Sequence, residues 1–302
     1  PPSPPPEVVV VGLGPGDPQH LTLAALDALC SGGAVYARTA NHPTLHAVAS
    51  LGAAEGRFDQ AAVRTFDHLY EAASAEEGFD GVYRGIAAAL VAAARGEGEG
   101  GGGCPGPAPS PCSVVYAVPG DGTVAERSVL YLREAAGAAG VAVREVAGVS
   151  FVEPTLALLG ADAAPRLALG DAIEVGERCG APFEPDVPVL LSQLYSRRVA
   201  SDAKLALLNT YPPEHEVALV HAAGTGDGHV ERLPLHEADR SGRIAADTSL
   251  FVPPLPGAPG SWPALRAAVA RCAERGAGPW REGDPTLAAL AGELAEAAEA
   301  VG

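Results

Sequence analysis

The chain of 302 residues contains no methionine, a single lysine (Lys204), and only 20 basic residues against 37 acidic ones, giving a formal net charge of −17. Nucleic-acid binding depends on clustered cations that displace counterions from phosphates, so this charge balance argues against a nucleic-acid partner. It argues equally against an anionic membrane surface, and no apolar run reaches the ~20 residues needed to cross a bilayer. Because residue 1 is not methionine, we expect a processed or partial chain.

Cysteine is scarce, and its spacing shows neither a CxxC pair nor a Cys/His ligand pattern, so we predict no metal site. An odd, scattered set of thiols in a chain of this length indicates a reducing compartment. We therefore expect a cytoplasmic protein, or one of an organelle stroma if a targeting segment has been removed. The five cysteines are Cys30, Cys104, Cys112, Cys179 and Cys272.

Four consecutive valines run into a turn with glycine at every second position, in the segment EVVVVGLGPGD at residues 7–17. A short β-branched run closed by glycine and proline is typical of a strand buried on both faces of a sheet. Gly12, Gly14 and Gly16 allow a sharp turn and the close approach of a ligand to the backbone. We therefore predict a ligand-binding loop at the carboxyl edge of an α/β sheet, with a tight connection that binds nothing as the alternative.

Two common nucleotide-binding patterns do not fit this loop. The dinucleotide pattern requires glycine at the first, third and sixth positions, but the sixth position counted from Gly12 is Asp17. The P-loop pattern requires a lysine followed by serine or threonine, and the only lysine is Lys204. The ligand therefore has to be inferred from other parts of the chain.

Two later segments share the character of the first loop. Residues 114–126, VVYAVPGDGTVAE, form a second buried strand that ends in a glycine-rich turn, and EVAGVS follows at residues 145–150. In this order, VGLGPGD, PGD and EVAGVS resemble the tetrapyrrole (corrin/porphyrin) methylase family. The resemblance covers about residues 7–254 and is greatest to the subgroup fused to a MazG-type nucleotide pyrophosphohydrolase.

The resemblance implies a two-domain α/β fold with a mainly parallel sheet in the first domain, a mixed sheet in the second, and a ligand cleft between them. Residues 1–6 are expected to be a disordered leader, and a Gly/Pro-rich disordered insertion is expected at 96–111. The predicted domains are residues 7–160 and 161–256, followed by a helical tail at 257–302.

Local patterns predict several elements. Thr123 and Glu126 have the spacing of a capping box, which predicts a helix from Thr123 to about Ala139. Residues 160–188 are punctuated by proline and glycine and indicate a crossing that contains the boundary between the domains. In the second domain we expect four strands, two of them joined by a glycine-rich hairpin turn, at residues 187–191, 216–221, 229–233 and 248–252.

In the family, the cleft holds S-adenosylmethionine largely on backbone groups, and the resemblance implies the same cofactor here. The first-domain loops at residues 12–17, 120–123 and 148–151 are expected to converge on it. Ser150 has a helix N-cap as its alternative role, and for Leu194 and Ala218 the alternative is core packing. The residues carried over by resemblance are Pro15, Gly120, Asp121, Ser150, Phe151, Leu194 and Ala218.

Methyl transfer from a sulfonium is an in-line displacement, so the protein has to align the reactants and exclude water without supplying a nucleophile. The catalytic residues are unknown from sequence. Arg38, His42 and Arg64 are candidates to hold acidic substituents of a substrate or to handle a proton, and a solvated surface position is the alternative for each.

The tail GPWREGDPTLAALAGELAEAAEAV resembles the opening of a MazG domain, whose first metal-binding helix carries an EExxE pattern. Only Glu293 and Glu296 match, and Gly292 occupies the position of the first acid. A solvated Ala/Glu helix explains the tail as given, so we expect no pyrophosphohydrolase activity from this chain.

These patterns lead to three hypotheses for function. The first is an S-adenosylmethionine-dependent methyltransferase whose acceptor is a small molecule, with a tetrapyrrole as the candidate. The second is a non-catalytic ligand-sensing module that regulates a fused MazG-type hydrolase, and the third is such a hydrolase with its catalytic half elsewhere. A homodimer is expected by analogy with the family.

Overall fold

The structure is a computed structural model that describes residues 5–51, 56–72, 79–97, 113–178 and 183–255. Several predictions concern residues outside these ranges. They are the helical tail with Glu293 and Glu296, most of the leader and the insertion, and every cysteine except Cys30.

The described chain divides into two compact units. The first unit contains residues up to Ala161 together with the segment 222–229, and the second contains residues 162–221 and those from Val230 onward. The first unit is therefore not continuous in sequence. Residues 222–229, here called the hairpin segment, lie within the predicted second domain but belong to the first unit.

A five-stranded parallel sheet forms the centre of the first unit, with strand order β3-β2-β4-β1-β5. Strand β1, which lies between β4 and β5, is almost completely buried, because its valines contact helices on both faces of the sheet. The strands are β1 (Glu7–Gly12), β2 (Ala34–Ala37), β3 (Arg64–Thr65), β4 (Ser113–Val118) and β5 (Ala142–Val146).

Alternate side chains of β1 enter two different cores. Val8 and Val10 pack with the fourth and fifth helices, whereas Val9 and Val11 pack with the first and second helices on the opposite face. The helices are α1 (Leu23–Leu29), α2 (Pro43–Val48), α3 (Asp67–Ala72), α4 (Asp80–Ala94), α5 (Arg127–Ala139) and α6 (Val152–Leu159).

The second unit contains a mixed five-stranded sheet of order β6-β7-β10-β8-β9, in which β6 and β7 are parallel and β10 runs antiparallel to β7 and β8. One face of this sheet packs against its two helices and forms the core of the unit. The elements are β6 (Ala168–Asp171), α7 (Ala172–Glu177), β7 (Val189–Ser192), α8 (Arg197–Leu207), β8 (Glu216–His221), β9 (His229–Pro234) and β10 (Thr248–Val252).

The predicted fold class is confirmed, with a parallel sheet in one unit and a mixed sheet in the other. One local prediction was wrong. The helix expected from Thr123 begins at Arg127 with Glu126 as its N-cap, because the Thr123 hydroxyl donates a hydrogen bond to Asp121 instead. The crossing at residues 160–188 contains β6 and α7, which were not predicted. Strand β6 was missed because its pairing with β7, rather than its own sequence, defines it.

Candidate functional site

The first two glycine-rich loops are joined by backbone hydrogen bonds just beyond the carboxyl ends of β1 and β4. The Gly14 amide donates to the Gly120 carbonyl at 3.1 Å, and the Gly120 amide donates back to the Gly14 carbonyl at 2.8 Å. Both glycines have positive φ angles, of 77° and 64°, which favour glycine over other residues. We call residues 12–17 the first loop and residues 120–123 the second loop.

The third loop, residues 148–151, meets the other two at backbone contact. A Cβ added to Gly12 would lie 2.6 Å from the Gly120 carbonyl oxygen and 2.8 Å from the Gly148 Cα atom. A Cβ added to Gly148 would in turn collide with the Gly120 carbonyl oxygen. Glycine is therefore required at positions 12 and 148 by close approach of the backbones, and the expected convergence of the three loops is present in the first unit.

These loops lie where the sheet topology creates a crevice. Strand β1 leads into α1 on one face of the sheet, whereas the adjacent strand β4 leads into α5 on the opposite face. In open α/β sheets, ligands bind beyond the carboxyl ends of such strands, because the two connections diverge there. The topology therefore marks the first and second loops as the candidate ligand site.

Asp121 connects the second loop to the third. Its Oδ1 atom accepts hydrogen bonds from the Thr123 amide at 2.8 Å and the Thr123 hydroxyl at 2.5 Å, and its Oδ2 atom accepts from the Gly148 amide at 2.7 Å. Burial acts to raise the pKa of the Asp121 carboxyl, but these hydrogen bonds outweigh burial and lower it. The carboxylate thus has a structural task that the sequence did not reveal, whereas its predicted contact with a cofactor stays a prediction.

Ser150 and Phe151 begin the helix that follows the third loop. The Ser150 hydroxyl accepts a hydrogen bond from the Val152 amide at 3.0 Å and donates one to Glu153 at 2.6 Å. Phe151 occupies the N-cap position of α6 without a side-chain capping bond. The hydrogen bonds of Ser150 are therefore explained by its alternative role in stabilising the helix end. Ser150 lies one residue before the N-cap position of α6.

Pro15 contacts the hairpin segment. A Cβ at Gly224, whose φ angle is 80°, would collide with the ring of Pro15. The Gly224 carbonyl accepts a hydrogen bond from the Asp17 amide at 2.9 Å and lies 3.2 Å from His20 Nδ1. A Cβ at Gly16 would lie 2.9 Å from Thr225 Cγ2. The hairpin segment therefore holds the first loop along much of its length.

Arg38, a candidate for substrate binding, forms a partly buried ion pair. Its Nη1 atom donates to Glu126 at 2.8 Å, and its Nε atom donates to the Tyr70 hydroxyl at 2.9 Å. Burial acts to lower the pKa of Arg38, but the Glu126 carboxylate and the Tyr70 hydroxyl outweigh burial and raise it, so the guanidinium stays charged. Glu126 also accepts from the Ser128 hydroxyl at 2.6 Å, which in turn pairs with Tyr116 at 2.8 Å.

Arg64 contacts Tyr36 rather than the glycine-rich loops. Its Nη1 atom donates to the Tyr36 hydroxyl at 2.7 Å, and its guanidinium carbon lies 5.4 Å from the centre of the Tyr36 ring. The residue itself is exposed. Its predicted role in holding a substrate is not supported by any contact with the three loops.

His42 is buried beside the first loop, with only 6% of its surface exposed. Burial lowers the pKa of its imidazole to about 4, against the opposing effect of the Gly14 backbone, so that the ring is neutral at pH 7. The alternative of a solvated surface position was therefore wrong for His42. Of the three polar candidates, it is the one whose pKa is influenced by the first loop.

Leu194 and Ala218 belong to the second unit and are completely buried there. Leu194 is part of the core cluster of that unit, and Ala218 pairs with Phe251 across the sheet. Core packing therefore accounts for both burials, and their roles beside an adenine stay predictions. Gln193, which directly precedes Leu194, has a φ angle of 62°, a conformation that is uncommon outside glycine.

Sequence reasoning missed Glu126, the hairpin segment and three residues with strained backbones. Ala125 and Ala222 share the left-handed conformation of Gln193, with φ angles of 55° and 49°. Residues in this conformation concentrate at ligand sites and switch regions, where the surrounding structure compensates for the strain. The sequence GTGDG signalled a turn in the hairpin segment, but no local pattern linked it to Pro15.

Two kinds of site are not found in the part of the chain that the structure describes. No cluster of three or more His, Cys, Asp and Glu side chains is placed to hold a metal ion. Across the same ranges, no helix combines the length and the apolar character needed to cross a membrane.

Residues 7–102 match the family described as Tetrapyrrole (Corrin/Porphyrin) Methylases. Over 249 residues the chain is 31% identical to the Bacillus subtilis (strain 168) protein "Uncharacterized protein YabN", an alignment that covers 82% of this chain and 45% of that protein. The chain thus spans less than half the length of this relative.

Two solved structures share the fold over 82% of this chain and 94% of their own length. One is a uroporphyrin-III-C-methyltransferase from Thermus thermophilus, with a TM-score of 0.58 and 22% identity. The other is the cobalamin biosynthetic enzyme cobalt precorrin-4 methyltransferase, CbiF, with a TM-score of 0.57 and 15% identity. Residues 7–102 are thus similar to the tetrapyrrole methylase family, and the chain shares its fold with these two methyltransferases.

Proposed function

We propose that this protein is an S-adenosylmethionine-dependent methyltransferase that uses the three glycine-rich loops of its first unit to bind the methyl donor. The observation that carries the proposal is the backbone contact of Gly12, Gly120 and Gly148 at the divergence of β1 and β4. The match of residues 7–102 to the tetrapyrrole methylase family supports the same activity.

The residues around the loops are compatible with such a ligand. A nucleoside with an amino-acid chain needs close approach to peptide groups, which the glycines permit. A Cβ added to Gly120 would meet only the Ser150 Cα atom, at 3.9 Å, so its surroundings are open compared with those of Gly12. The unpartnered Nδ1 atom of buried His42, next to Gly14, adds a polar group to these surroundings.

When bound, S-adenosylmethionine supplies a methyl group made electrophilic by the attached sulfonium. The task of the chain is then to align donor and acceptor and to exclude water, and no protein nucleophile is needed. Asp121 performs part of that task, because it fixes the second loop against the third. The hairpin segment performs another part by holding Pro15 and Asp17.

The acceptor belongs to the proposal and is a small molecule of the tetrapyrrole class. The two structural relatives are named for action on uroporphyrin III and cobalt precorrin-4, which makes a reduced tetrapyrrole the first acceptor to test. A homodimer, expected by analogy with the family, and membership of the subgroup fused to a MazG-type hydrolase are parts of the same proposal.

A second candidate function is a ligand-sensing module attached to a MazG-type hydrolase. It is favoured by the relative of which this chain covers 45%, since that protein has room for a further domain. Under this hypothesis the chain binds S-adenosylmethionine or its demethylated product but transfers no methyl group.

Isothermal titration calorimetry of the 302-residue chain with S-adenosylmethionine and with S-adenosylhomocysteine tests the proposal. We expect a dissociation constant on the order of micromolar, about −8 kcal/mol. Transfer of a labelled methyl group to uroporphyrinogen III then separates a methyltransferase from a sensing module. Heat without transfer to any tetrapyrrole would favour the sensing module, and no heat with either ligand would refute both.

The matched variants are Gly12→Ala and Gly137→Ala. The first places a Cβ within 2.6 Å of the Gly120 carbonyl oxygen, whereas the second adds a Cβ with no neighbour within 4 Å, on helix α5. Gly12→Ala is expected to lose binding, and Gly137→Ala to retain it. Circular dichroism of both variants establishes whether a loss of binding accompanies an intact fold.

A further inference from the structure

Glu126 is the residue at which the chain passes from the second loop into helix α5. It occupies the N-cap position of that helix, and only 2% of its side chain is exposed. A buried carboxylate is costly unless an opposite charge and hydrogen bonds compensate for the loss of water. Both are present around Glu126, so a specific set of partners holds its side chain in one place.

The two carboxylate oxygens of Glu126 bind different elements of the first unit. Oε2 accepts a hydrogen bond from Arg38 at the end of β2, at 2.8 Å, whereas Oε1 accepts from the amide and the hydroxyl of Ser128, at 3.2 and 2.6 Å. The Ser128 hydroxyl pairs with Tyr116 of β4 at 2.8 Å, and the Arg38 amide donates to the Ala117 carbonyl of β4 at 3.0 Å. Glu126 therefore ties the end of the second loop back to the strand from which that loop starts.

Ala125 lies between this network and the second loop, with its backbone in the left-handed conformation. Its φ angle is 55°, at which the Cβ atom of an L-residue comes too close to the following carbonyl oxygen. On one side the Val124 amide donates to the Asp121 carbonyl at 3.2 Å, and on the other side Glu126 is fixed by its carboxylate. Ala125 is exposed, so packing of its own side chain does not explain the conformation. The anchoring of the residues on both sides therefore compensates for the strain.

We propose that Glu126 is a positioning residue for the ligand site, which holds Ala125 in this conformation and thereby fixes the second loop. This inference rests on the proposed function, in which the second loop binds the methyl donor. Without the bonds to Glu126, Ala125 is expected to relax to a negative φ angle, which alanine favours. That rotation would displace the second loop, in which Gly120 and Asp121 bond to the first and third loops.

The variants Glu126→Gln and Ala125→Gly, alone and combined, test the inference. Glutamine has one oxygen, so its NH2 group has to face a donor of either Arg38 or Ser128. Calorimetry of the 302-residue chain should show an affinity for S-adenosylmethionine that is about tenfold lower in Glu126→Gln, or about 1.4 kcal/mol. Glycine adopts the left-handed conformation without steric cost, so Ala125→Gly should bind within about threefold of wild type. Most of the lost affinity should return in the double variant, because position 125 then no longer depends on Glu126.

Thermal unfolding separates positioning from a purely structural role. The charge of Arg38 stays unpaired in both Glu126→Gln and the double variant, so both unfolding midpoints should fall although the two affinities differ. Glu174→Gln is the matched control, since it breaks an exposed ion pair with Arg178 in the second unit and should change neither quantity. A crystal structure of Glu126→Gln should show a negative φ angle at residue 125.

Ser128→Ala is a milder test of the same network. It removes the hydroxyl bond to Oε1 of Glu126 and leaves the ion pair with Arg38 in place. We expect a loss of affinity of about threefold, again restored by Ala125→Gly. If Glu126→Gln does not fold, Ser128→Ala with and without Ala125→Gly decides the question.

The outcomes distinguish this inference from the proposed function. If wild-type protein binds S-adenosylmethionine and Glu126→Gln binds equally well, or residue 125 of that variant keeps a positive φ angle, only the positioning role is refuted. A double variant that binds as weakly as Glu126→Gln also refutes it, because Glu126 then acts through stability or charge alone. If wild-type protein does not bind the ligand, the proposed function fails, and the φ angle at residue 125 in Glu126→Gln still shows whether Glu126 holds the second loop.

Discussion

At the scale of single residues, Asp121 determines how the second and third loops are held. Three hydrogen bonds end on its carboxylate, and only 7% of the residue is exposed. If the Oδ2 atom of Asp121 is lost, the Gly148 amide has no comparable hydrogen-bond partner, because the backbones of Gly12 and Gly120 already lie in contact with Gly148. Stability of the first unit should therefore depend on the charge state of this residue.

Replacement of Asp121 by asparagine tests that dependence. The amide oxygen can accept from Thr123, but the amide nitrogen cannot accept from Gly148, so we expect a loss of about 1.5–3 kcal/mol in the free energy of unfolding at pH 7. The pKa of Asp121 is lowered in the folded protein, so the stabilisation is present above the unfolded pKa of about 3.9 and is lost as pH falls through the folded pKa. The difference between wild type and variant should shrink below about pH 4.

Urea unfolding at a series of pH values measures this difference. Asp162→Asn is the control, because Asp162 accepts one hydrogen bond, from the Ala164 amide at 2.9 Å, at an exposed position. That variant should change stability little at any pH. A gap between wild type and Asp121→Asn that stays constant down to pH 3 would show that the carboxylate charge is not responsible.

At the scale of structural elements, the hairpin segment and the first loop form one assembly. Gly224 contacts Pro15 and Pro154, and its carbonyl accepts from Asp17. The neighbouring glycine, Gly226, has open space around its would-be Cβ and no positive φ angle. Of these two glycines in the same turn, Gly224 is in close contact with other residues, whereas Gly226 has open space around it.

Gly224→Ala should destabilise the protein by about 2 kcal/mol or more, because alanine is strained at a φ angle of 80° and its Cβ would collide with Pro15. Gly226→Ala should stay within about 0.5 kcal/mol of wild type. Thermal unfolding compares the two, and hydrogen exchange over residues 12–20 locates the effect. Equal behaviour of the two variants would contradict the proposed contact between hairpin segment and first loop.

At the scale of the whole molecule, each unit has buried central strands and edge strands that are partly exposed. In the first unit β1 and β4 are almost completely buried, whereas β5 lies at the sheet edge with exposed side chains. In the second unit β7 and β8 are buried, and β9 lies at the edge with partly exposed side chains. Each unit should therefore open from its edge.

Hydrogen exchange measured by mass spectrometry should rank the strands in that order. Peptides from β1, β4, β7 and β8 should exchange slowest, because their amides open only with the core. Peptides from β5 and β9 should exchange faster, since one side of each has no neighbouring strand among the residues that the structure describes. Exchange in β5 as slow as in β1 would show that another part of the protein covers that edge.

Local patterns were sufficient for much of the fold. The valine run of β1, the strand before the second loop and the strands at 216–221 and 248–252 were predicted because β-branched runs closed by glycine or proline specify strands locally. Strand β3 was missed, since two residues carry no pattern and its existence depends on pairing with β2.

The candidate site was predicted at the level of loops but not of contacts. The sequence placed three glycine-containing loops after predicted strands, the first two of them predicted as buried, and the order of these motifs supported the family resemblance. It did not predict that Asp121 bonds to Gly148, because a carboxylate at a loop tip is equally consistent with an exposed ligand contact. Nor did it show that His42 is buried while Arg64 is exposed.

By itself, the sequence determined the strand cores, the glycine positions and the resemblance to a family, because these depend on residues that are neighbours along the chain. The tertiary structure alone decided which side chains meet. Arg38 pairs with Glu126 across 88 positions, and His20 lies beside Gly224 across 204. Such partners are selected by the packing of distant elements against one another, and a local pattern carries no information about that packing.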